Sequence, residues 1–153
     1  MIRWERAADV ASSIASIQFQ SVREGQSLYS DAQRQAWIAE PHSAQALATR
    51  LADAVAVLWD SDRQDVGVLT LSPGGYIDMA FVRPAHQRQG VFRGLFSALE
   101  IKARKAGETR LWTHASLMAQ PAFQSVGFSV IHHEEIERAG VFLSRAKMEK
   151  VLK

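Results

Sequence analysis

The first third of the chain carries apolar residues at the spacing of α-helices. Val10, Ile14, Ile17 and Val22 recur on one helical face, and Asp9 stands at the position of an N-cap. This pattern predicts a first helix that begins near Asp9. Its apolar face must pack against another element of the fold.

Two more helix starts follow. Ser30 with Gln33 three residues later has the form of a capping box, ahead of an apolar stretch that includes Trp37. Ser43 can cap a third helix, which would bury Leu47. The first third of the chain is therefore predicted to be helical, after a short strand at the N-terminus.

The spacing of apolar residues then changes from that of a helix to that of a strand. Residues 54–59 and 66–71 are short, apolar and β-branched, and the polar turn between them predicts an antiparallel hairpin. After a Ser-Pro-Gly-Gly turn, residues 76–82 are expected to continue as one strand. Alternation along that strand would place Tyr76, Asp78, Ala80 and Val82 on the same face.

The second half alternates between the two periods. Apolar residues four apart predict a long helix over 90–106, which Gly107 would end. A strand over 109–114, a short helix over 118–125 and a final hairpin of 128–138 with 141–148 complete the order. Helices and mainly hairpin-connected strands predict an α+β class. With 153 residues, we expect a single domain over 1–153.

The amino-acid composition excludes several kinds of site and partner. The chain has no cysteine, which excludes disulfides, Cys-based zinc sites and a Cys nucleophile. A net charge of +2 and scattered aromatics argue against a nucleic-acid partner. The charged N-terminus and the lack of a long apolar run argue against a signal peptide or membrane contact, so a cytoplasmic location is expected.

The stretch HQRQGVFRG, residues 86–94, lies between a predicted strand and the long helix. The first amides of a helix have no partner within it, and the helix dipole adds partial positive charge there. Gly90 allows close approach to the backbone, and Arg83, Arg88 and Arg93 add positive potential. Neither GxxxxGK[ST] nor GxGxxG is present. The site is therefore predicted to bind a pyrophosphate outside those two motifs.

This stretch resembles the acyl-CoA loop of the GNAT N-acetyltransferase superfamily. The family pattern Q/R-x-x-G-x-G/A is followed by residues 87–91, with Phe92 in place of the last small residue. The preceding FVRP, residues 81–84, resembles the end of the family's fourth strand. The run SLMAQPAFQSVGF, residues 116–128, resembles its N-x-x-A-x-x-x-Y-x-x-x-G-F segment.

The resemblance implies a mostly antiparallel sheet of six to seven strands, flanked by helices. Two parallel strands, near residues 76–82 and 110–114, would splay apart and admit acetyl-CoA as acyl donor. Strand backbone would pair with the pantetheine arm, and loop amides would bind the pyrophosphate. The implied cofactor residues are Ala80, Phe81, Val82, Gln87, Arg88, Gln89, Gly90, Val91, Phe92, Arg93, Gly94, Ser116 and Phe123.

The implied activity is acetyl transfer from acetyl-CoA to a primary amine. Without cysteine, we expect direct attack by the amine in a ternary complex rather than a covalent acyl-enzyme. The family's usual Tyr acid is replaced by Phe123, so its role is lost or moved. The candidates for proton transfer and substrate contact are Asp78, Tyr76, His114 and Ser116. Strand packing, a buried hydrogen-bonded His and a helix cap remain the structural alternatives for the last three.

Other interpretations remain open. The replacements at Phe92 and Phe123 favour a catalytically weak or inactive CoA-binding sensor or interaction module. Residues 132–135, HHEE, lie on a predicted strand without a helical metal motif, so no metal site is expected. The amine acceptor carries no recognisable motif. The edges of the last hairpin could pair between subunits, as in a homodimer.

Overall fold

A computed structural model describes residues 1–153 and contains five α-helices and eight strands. The helices are α1 (Ala11–Glu24), α2 (Asp31–Trp37), α3 (Ala44–Arg50), α4 (Val91–Lys105) and α5 (Ala119–Ser125). The strands are β1 (Ile2–Arg6), β2 (Val55–Ser61), β3 (Gln64–Leu71), β4 (Tyr76–Ile77), β5 (Ala80–Val82), β6 (Arg110–Ser116), β7 (Ser129–Arg138) and β8 (Val141–Val151). The predicted α+β class and order of elements are confirmed.

The strands form two four-stranded sheets rather than one. Their orders are β1-β2-β3-β5 and β4-β6-β8-β7, and every pairing is antiparallel except that of β4 with β6. The prediction of one continuous strand over residues 76–82 is wrong, because the chain passes from one sheet to the other at Asp78 and Met79. This division raises the strand number to eight.

The passage between the sheets produces the expected splayed pair. β4 runs parallel to β6, with Tyr76 opposite Trp112, whereas β5 pairs only with β3. Beyond Ile77 the two sheets therefore separate, and a gap opens between β5 and β6. The parallel strands implied by the resemblance are confirmed, and the gap between them positions the site described below.

Two apolar cores lie on opposite faces of the β1-β2-β3-β5 sheet. The predicted stripe of α4 is buried in one core, where Leu95 and Leu99 are fully covered. Ile14 and Ile17 of α1 pack with Leu47 of α3 in the other. These are the residues that the helical spacing selects. None of the helices is both long enough and apolar enough to cross a bilayer.

Gly94 lies where α4 passes closest to β2. A Cβ on this residue would stand 2.6 Å from Cζ3 of Trp59, closer than carbon atoms approach without displacement. Its amide donates an ordinary helical hydrogen bond to the Gly90 carbonyl at 3.0 Å. Close packing of the helix on the sheet therefore accounts for this glycine.

Replacing Gly94 by valine should lower the free energy of unfolding by about 1–3 kcal/mol, because the side chain must displace the Trp59 ring. Ser97→Val is the matched control, since Ser97 is exposed on the same helix and its substitution costs only helix propensity. Urea denaturation would measure both variants. Equal stability of the two would contradict the packing explanation.

Candidate active site

The turn into α4 presents a row of free backbone donors. Gly90 is the N-cap, with φ of 84°, and Arg88 also has a positive φ, of 61°. The amides of residues 88–93 donate no hydrogen bond within the chain. No heavy atom lies within 4 Å of a Cβ placed on Gly90, so the space in front of the amides is open. This geometry suits an anion.

The loop is fixed to the neighbouring strand by Gln87. Its side-chain Nε2 donates to the Val82 carbonyl at 3.0 Å. Arg88 and Arg93 are exposed beside the free amides and add positive charge. The prediction that Arg83 adds positive charge at this loop is wrong. Its guanidinium donates to the Asp65 carbonyl and to side chains of α1, on another surface.

A cleft with a cavity volume of about 510 Å³ runs from this loop along β5 to α5. We call it the loop cleft. Most of the predicted cofactor residues line it: Ala80, Phe81, Val82, Gln87, Arg88, Gly90, Val91, Phe92, Arg93, Ser116 and Phe123. Gln89 and Gly94 do not. Gln89 instead donates from its side chain to the Ala85 carbonyl, and Gly94 contacts Trp59.

A second cavity, of about 180 Å³, lies on the other side of the gap and is called the inner pocket. All four predicted catalytic residues line it: Tyr76, Asp78, His114 and Ser116. It also contains residues that sequence reasoning missed, namely Tyr29, Arg50, Arg138 and Arg145. These come from the α1–α2 connection, α3, β7 and β8, so only the tertiary fold brings them together.

The two cavities share one wall. Its six residues are Trp37, Ala80, Phe81, Ser116, Ala119 and Phe123. They lie where β5 and β6 separate, so a chain-like molecule in the loop cleft can reach the inner pocket at this point. We call this shared wall the junction.

Asp78 is held by a bidentate ion pair. Arg50 donates from Nη2 and Nε to the two carboxylate oxygens, at 2.6 and 2.9 Å. The Asp78 side chain is only 10% exposed, whereas Arg50 is half exposed. Because a carboxylate offers about four acceptor positions, Asp78 keeps capacity for a further donor from the pocket.

His114 is held in its neutral form by its surroundings. Burial lowers the pKa of the imidazole, and the positive charge of Arg145 lowers it further, against the opposing effect of Glu134. His114 Nδ1 lies 3.3 Å from Glu134 Oε1 but makes no hydrogen bond to it, so this buried nitrogen has no hydrogen-bond partner. A neutral imidazole in a pocket can accept a proton.

The two tyrosines of the pocket differ in their hydroxyl partners. Tyr29 donates to the Ser144 carbonyl at 2.5 Å and accepts from the Leu117 amide at 3.0 Å. Tyr76 packs on Trp112, with ring centroids 4.3 Å apart, and its hydroxyl makes no hydrogen bond within the chain. Burial raises the pKa of both phenols, so both stay protonated at neutral pH. Tyr76 is the one with a proton to offer.

Ser116 and Phe123 complete the junction. Ser116 Oγ accepts a hydrogen bond from the Ala119 amide at 3.2 Å, and its own proton remains free. The N-cap of α5 is Met118, so Ser116 contacts the start of the helix from two residues before the cap. Phe123 is 1% exposed and packs edge-on against Phe92 and Phe128. No group of three or more metal-ligating side chains is close enough to hold an ion.

Comparison with known proteins agrees with this geometry. The family model described as acetyltransferase (GNAT) domain matches residues 26–152. A curated relative, the uncharacterized N-acetyltransferase YafP of Escherichia coli, is 36% identical over 73 residues, which are 48% of this chain and 45% of that protein. The alignment thus spans less than half of the relative's length.

Solved structures share the whole fold. A GCN5-related N-acetyltransferase from Rhodopseudomonas palustris has a TM-score of 0.86 and 25% identity, covering 99% of this chain and 95% of its own. The YncA protein of Salmonella typhimurium, solved with its cofactor acetyl-CoA, has a TM-score of 0.72 and 18% identity, over 100% and 94%. Since the family model matches most of the chain, this protein belongs to the GNAT acetyltransferase family.

Proposed function

We propose that this protein transfers an acetyl group from acetyl-CoA to a primary amine, by direct attack in a ternary complex. The main observation in support of this proposal is the junction. It joins a cleft that ends at free helix amides to a pocket with proton-transfer groups. A thioester at the end of a pantetheine arm would lie at this wall, with the amine on its other side.

In the loop cleft, the amides of residues 88–93 would bind the CoA pyrophosphate, and Arg88 and Arg93 would add charge. The backbone of β5 would pair with the pantetheine arm, because β5 has no strand on the side of the gap. Phe123 would contact the arm near the thioester. The structurally similar YncA protein was solved with its cofactor acetyl-CoA, which supports acetyl-CoA as the ligand of this cleft.

In the inner pocket, an ammonium ion must lose a proton before it attacks, and the thiolate leaves better if it gains one. His114, neutral in the fold, would take the proton from the amine. Asp78 would bind the amine through its remaining acceptor positions. Tyr76 would donate to the leaving sulfur, and Ser116 would contact the thioester region. The hydroxyl absent from Phe123 is thereby replaced from the opposite side of the junction.

A CoA-binding sensor is the second candidate function. The buried Phe123 ring provides no proton, and Arg50 occupies part of the Asp78 carboxylate. Both observations favour binding without turnover. The two functions differ in one respect, since only the transferase releases free CoA when an amine is present.

His114 should titrate below the ordinary imidazole pKa of 6.5 in the folded protein. The unfolded chain then binds the proton at higher pH, so the stability contributed by neutral His114 is present above about pH 6.5 and is lost as pH falls. NMR titration would measure the pKa. Arg145→Gln should raise it, and Arg104→Gln on α4 should leave it unchanged. A midpoint at or above 6.5 would contradict the assignment.

Gly90→Ala should weaken CoA binding severalfold, because the methyl group enters the open face of the loop and strains its amides. Gly107→Ala is a matched control at the other end of α4. Both glycines have φ near +84°, at 84° and 83°, and both have open space at Cβ. Their costs in stability should therefore be similar. Equal CoA affinities of the two variants in calorimetry would place the pyrophosphate elsewhere.

Purified protein with acetyl-CoA should release free thiol when the correct amine is supplied. Tyr76→Phe should lower kcat by roughly 100-fold or more, because it removes the acid, while CoA affinity stays unchanged. The ring and its packing on Trp112 are retained in this variant. Saturable CoA binding without thiol release for any amine would favour the sensor. An unchanged kcat would exclude Tyr76 as the acid.

A further inference from the structure

The inner pocket contains more positive than negative charge. Three arginines line it, Arg50, Arg138 and Arg145, against one carboxylate, Asp78. Arg50 and Asp78 bind each other, and Arg145 is paired through Nε with Glu134 of β7, so Arg138 is the guanidinium without a carboxylate partner. An acceptor with only ammonium groups would meet net repulsion in this partly buried site. The charge balance favours an acceptor that brings an anion.

Arg145 is built to receive that anion. Its Nε donates to Glu134 Oε1 at 2.6 Å, which fixes the plane of the guanidinium. The side chain is 26% exposed, and its two terminal nitrogens donate no hydrogen bond within the chain. A planar fork with two free donors binds a carboxylate or a phosphate in bidentate fashion.

Arg138 provides a second cation at the outer part of the pocket. Its one hydrogen bond is a long contact of 3.4 Å from Nη1 to the neighbouring Glu137 carbonyl, and no carboxylate pairs with it. Arg138, Ile136 and Glu134 alternate along β7, so they share the face that Arg145 presents from β8. The free terminal nitrogens of Arg145 and the Arg138 guanidinium therefore belong to one side of the pocket.

The position of Arg145 limits the size of the acceptor. Its Cα is paired with that of Ser116 across the β6–β8 ladder, and Ser116 lies at the junction. The anion would thus bind within a few bonds of the attacking amine. A cavity of about 180 Å³ suits a compact molecule beside it.

We propose that the acceptor is a small amine that also carries a carboxylate or phosphate, which Arg145 binds, with Arg138 as the second cation. This inference rests on the proposed transfer and specifies its acceptor. It disfavours polyamines, which carry only positive charge. It also disfavours lysine side chains and protein N-termini, which have no anionic group close to the amine.

Matched pairs of amines test the inference by thiol release from acetyl-CoA. One arm compares free amino acids with their carboxamides, and the other compares phosphoethanolamine with ethanolamine. The anionic member should have a kcat/KM at least about tenfold higher in one of the arms. The arm that shows the preference identifies the anion. Equal or better use of every neutral partner, or of a polyamine or a peptide N-terminus, would overturn the inference.

Substitutions of the pocket arginines test which side chain causes the preference for an anionic acceptor. Arg145→Gln should raise the KM of the anionic acceptor, relative to that of its neutral partner, by roughly 10- to 100-fold. The ratio is the measure, because the substitution also changes the pKa of His114 and so affects both amines. Arg145→Lys should recover part of the loss, and the exposed Arg138→Gln should give a smaller rise. Arg104→Gln, an exposed arginine paired with Glu100 on α4, is the control. An unchanged preference in both Arg145 variants would contradict the assignment.

The two proposals fail in distinguishable ways. If no amine releases thiol, the transferase is rejected. The pocket is then tested by calorimetry of the CoA-saturated protein. The ligands are N-acetylated amino acids and phosphoethanolamine, and each is compared with its neutral partner. Tighter binding of the anionic member, lost in Arg145→Gln, supports the pocket assignment. Equal binding, or binding of neither member, overturns it.

Discussion

The site depends on how the chain satisfies its backbone where the two sheets separate. At Asp78 and Met79 the chain leaves β4 before it joins β5, so ladder hydrogen bonds are interrupted inside the protein. Two buried threonines complete them. Thr113 Oγ1 donates to the Ile77 carbonyl at 2.8 Å, and Thr70 Oγ1 accepts from the Met79 amide at 2.9 Å. If the Ile77 carbonyl or the Met79 amide were buried without a hydrogen bond, the stability of the fold would fall by about 1–3 kcal/mol for each.

These hydrogen bonds make the gap a stable part of the fold. Thr70 also donates its own amide to the Met79 carbonyl, so Met79 is tied to β3 by both of its backbone groups. Thr70 is 0% and Thr113 is 3% exposed, which leaves water no access to compete. The divergence of β5 from β6 is therefore fixed before any ligand binds, and the open side of β5 is preorganised.

The sequence was sufficient where the determinants are local. The stripe of α4 follows from residue spacing, and the turn at Gly90 from its place between a strand and a helix, and both were predicted. The break within residues 76–82 was not, because their alternation fits a single strand and the threonines that stabilise the break lie on two other strands, Thr70 on β3 and Thr113 on β6. Tyr29 and Arg145 were missed because tertiary contacts bring them into the pocket. Tyr29 reaches it through its hydrogen bond to Ser144, at a separation of 115 residues. Arg145 reaches it through the pairing of β8 with β6 and β7.

The two sides of the junction use different kinds of electrostatics. The loop cleft relies on backbone amides and a helix dipole, which every sequence that forms this turn provides. The inner pocket relies on side chains from α3, β7 and β8, where one substitution changes the local charge without disturbing the ladder. Acyl-donor binding is thus coupled to the fold, whereas acceptor binding is set by a few replaceable residues. Arg145 illustrates this division, because its backbone belongs to β8 while its terminal nitrogens belong to the pocket.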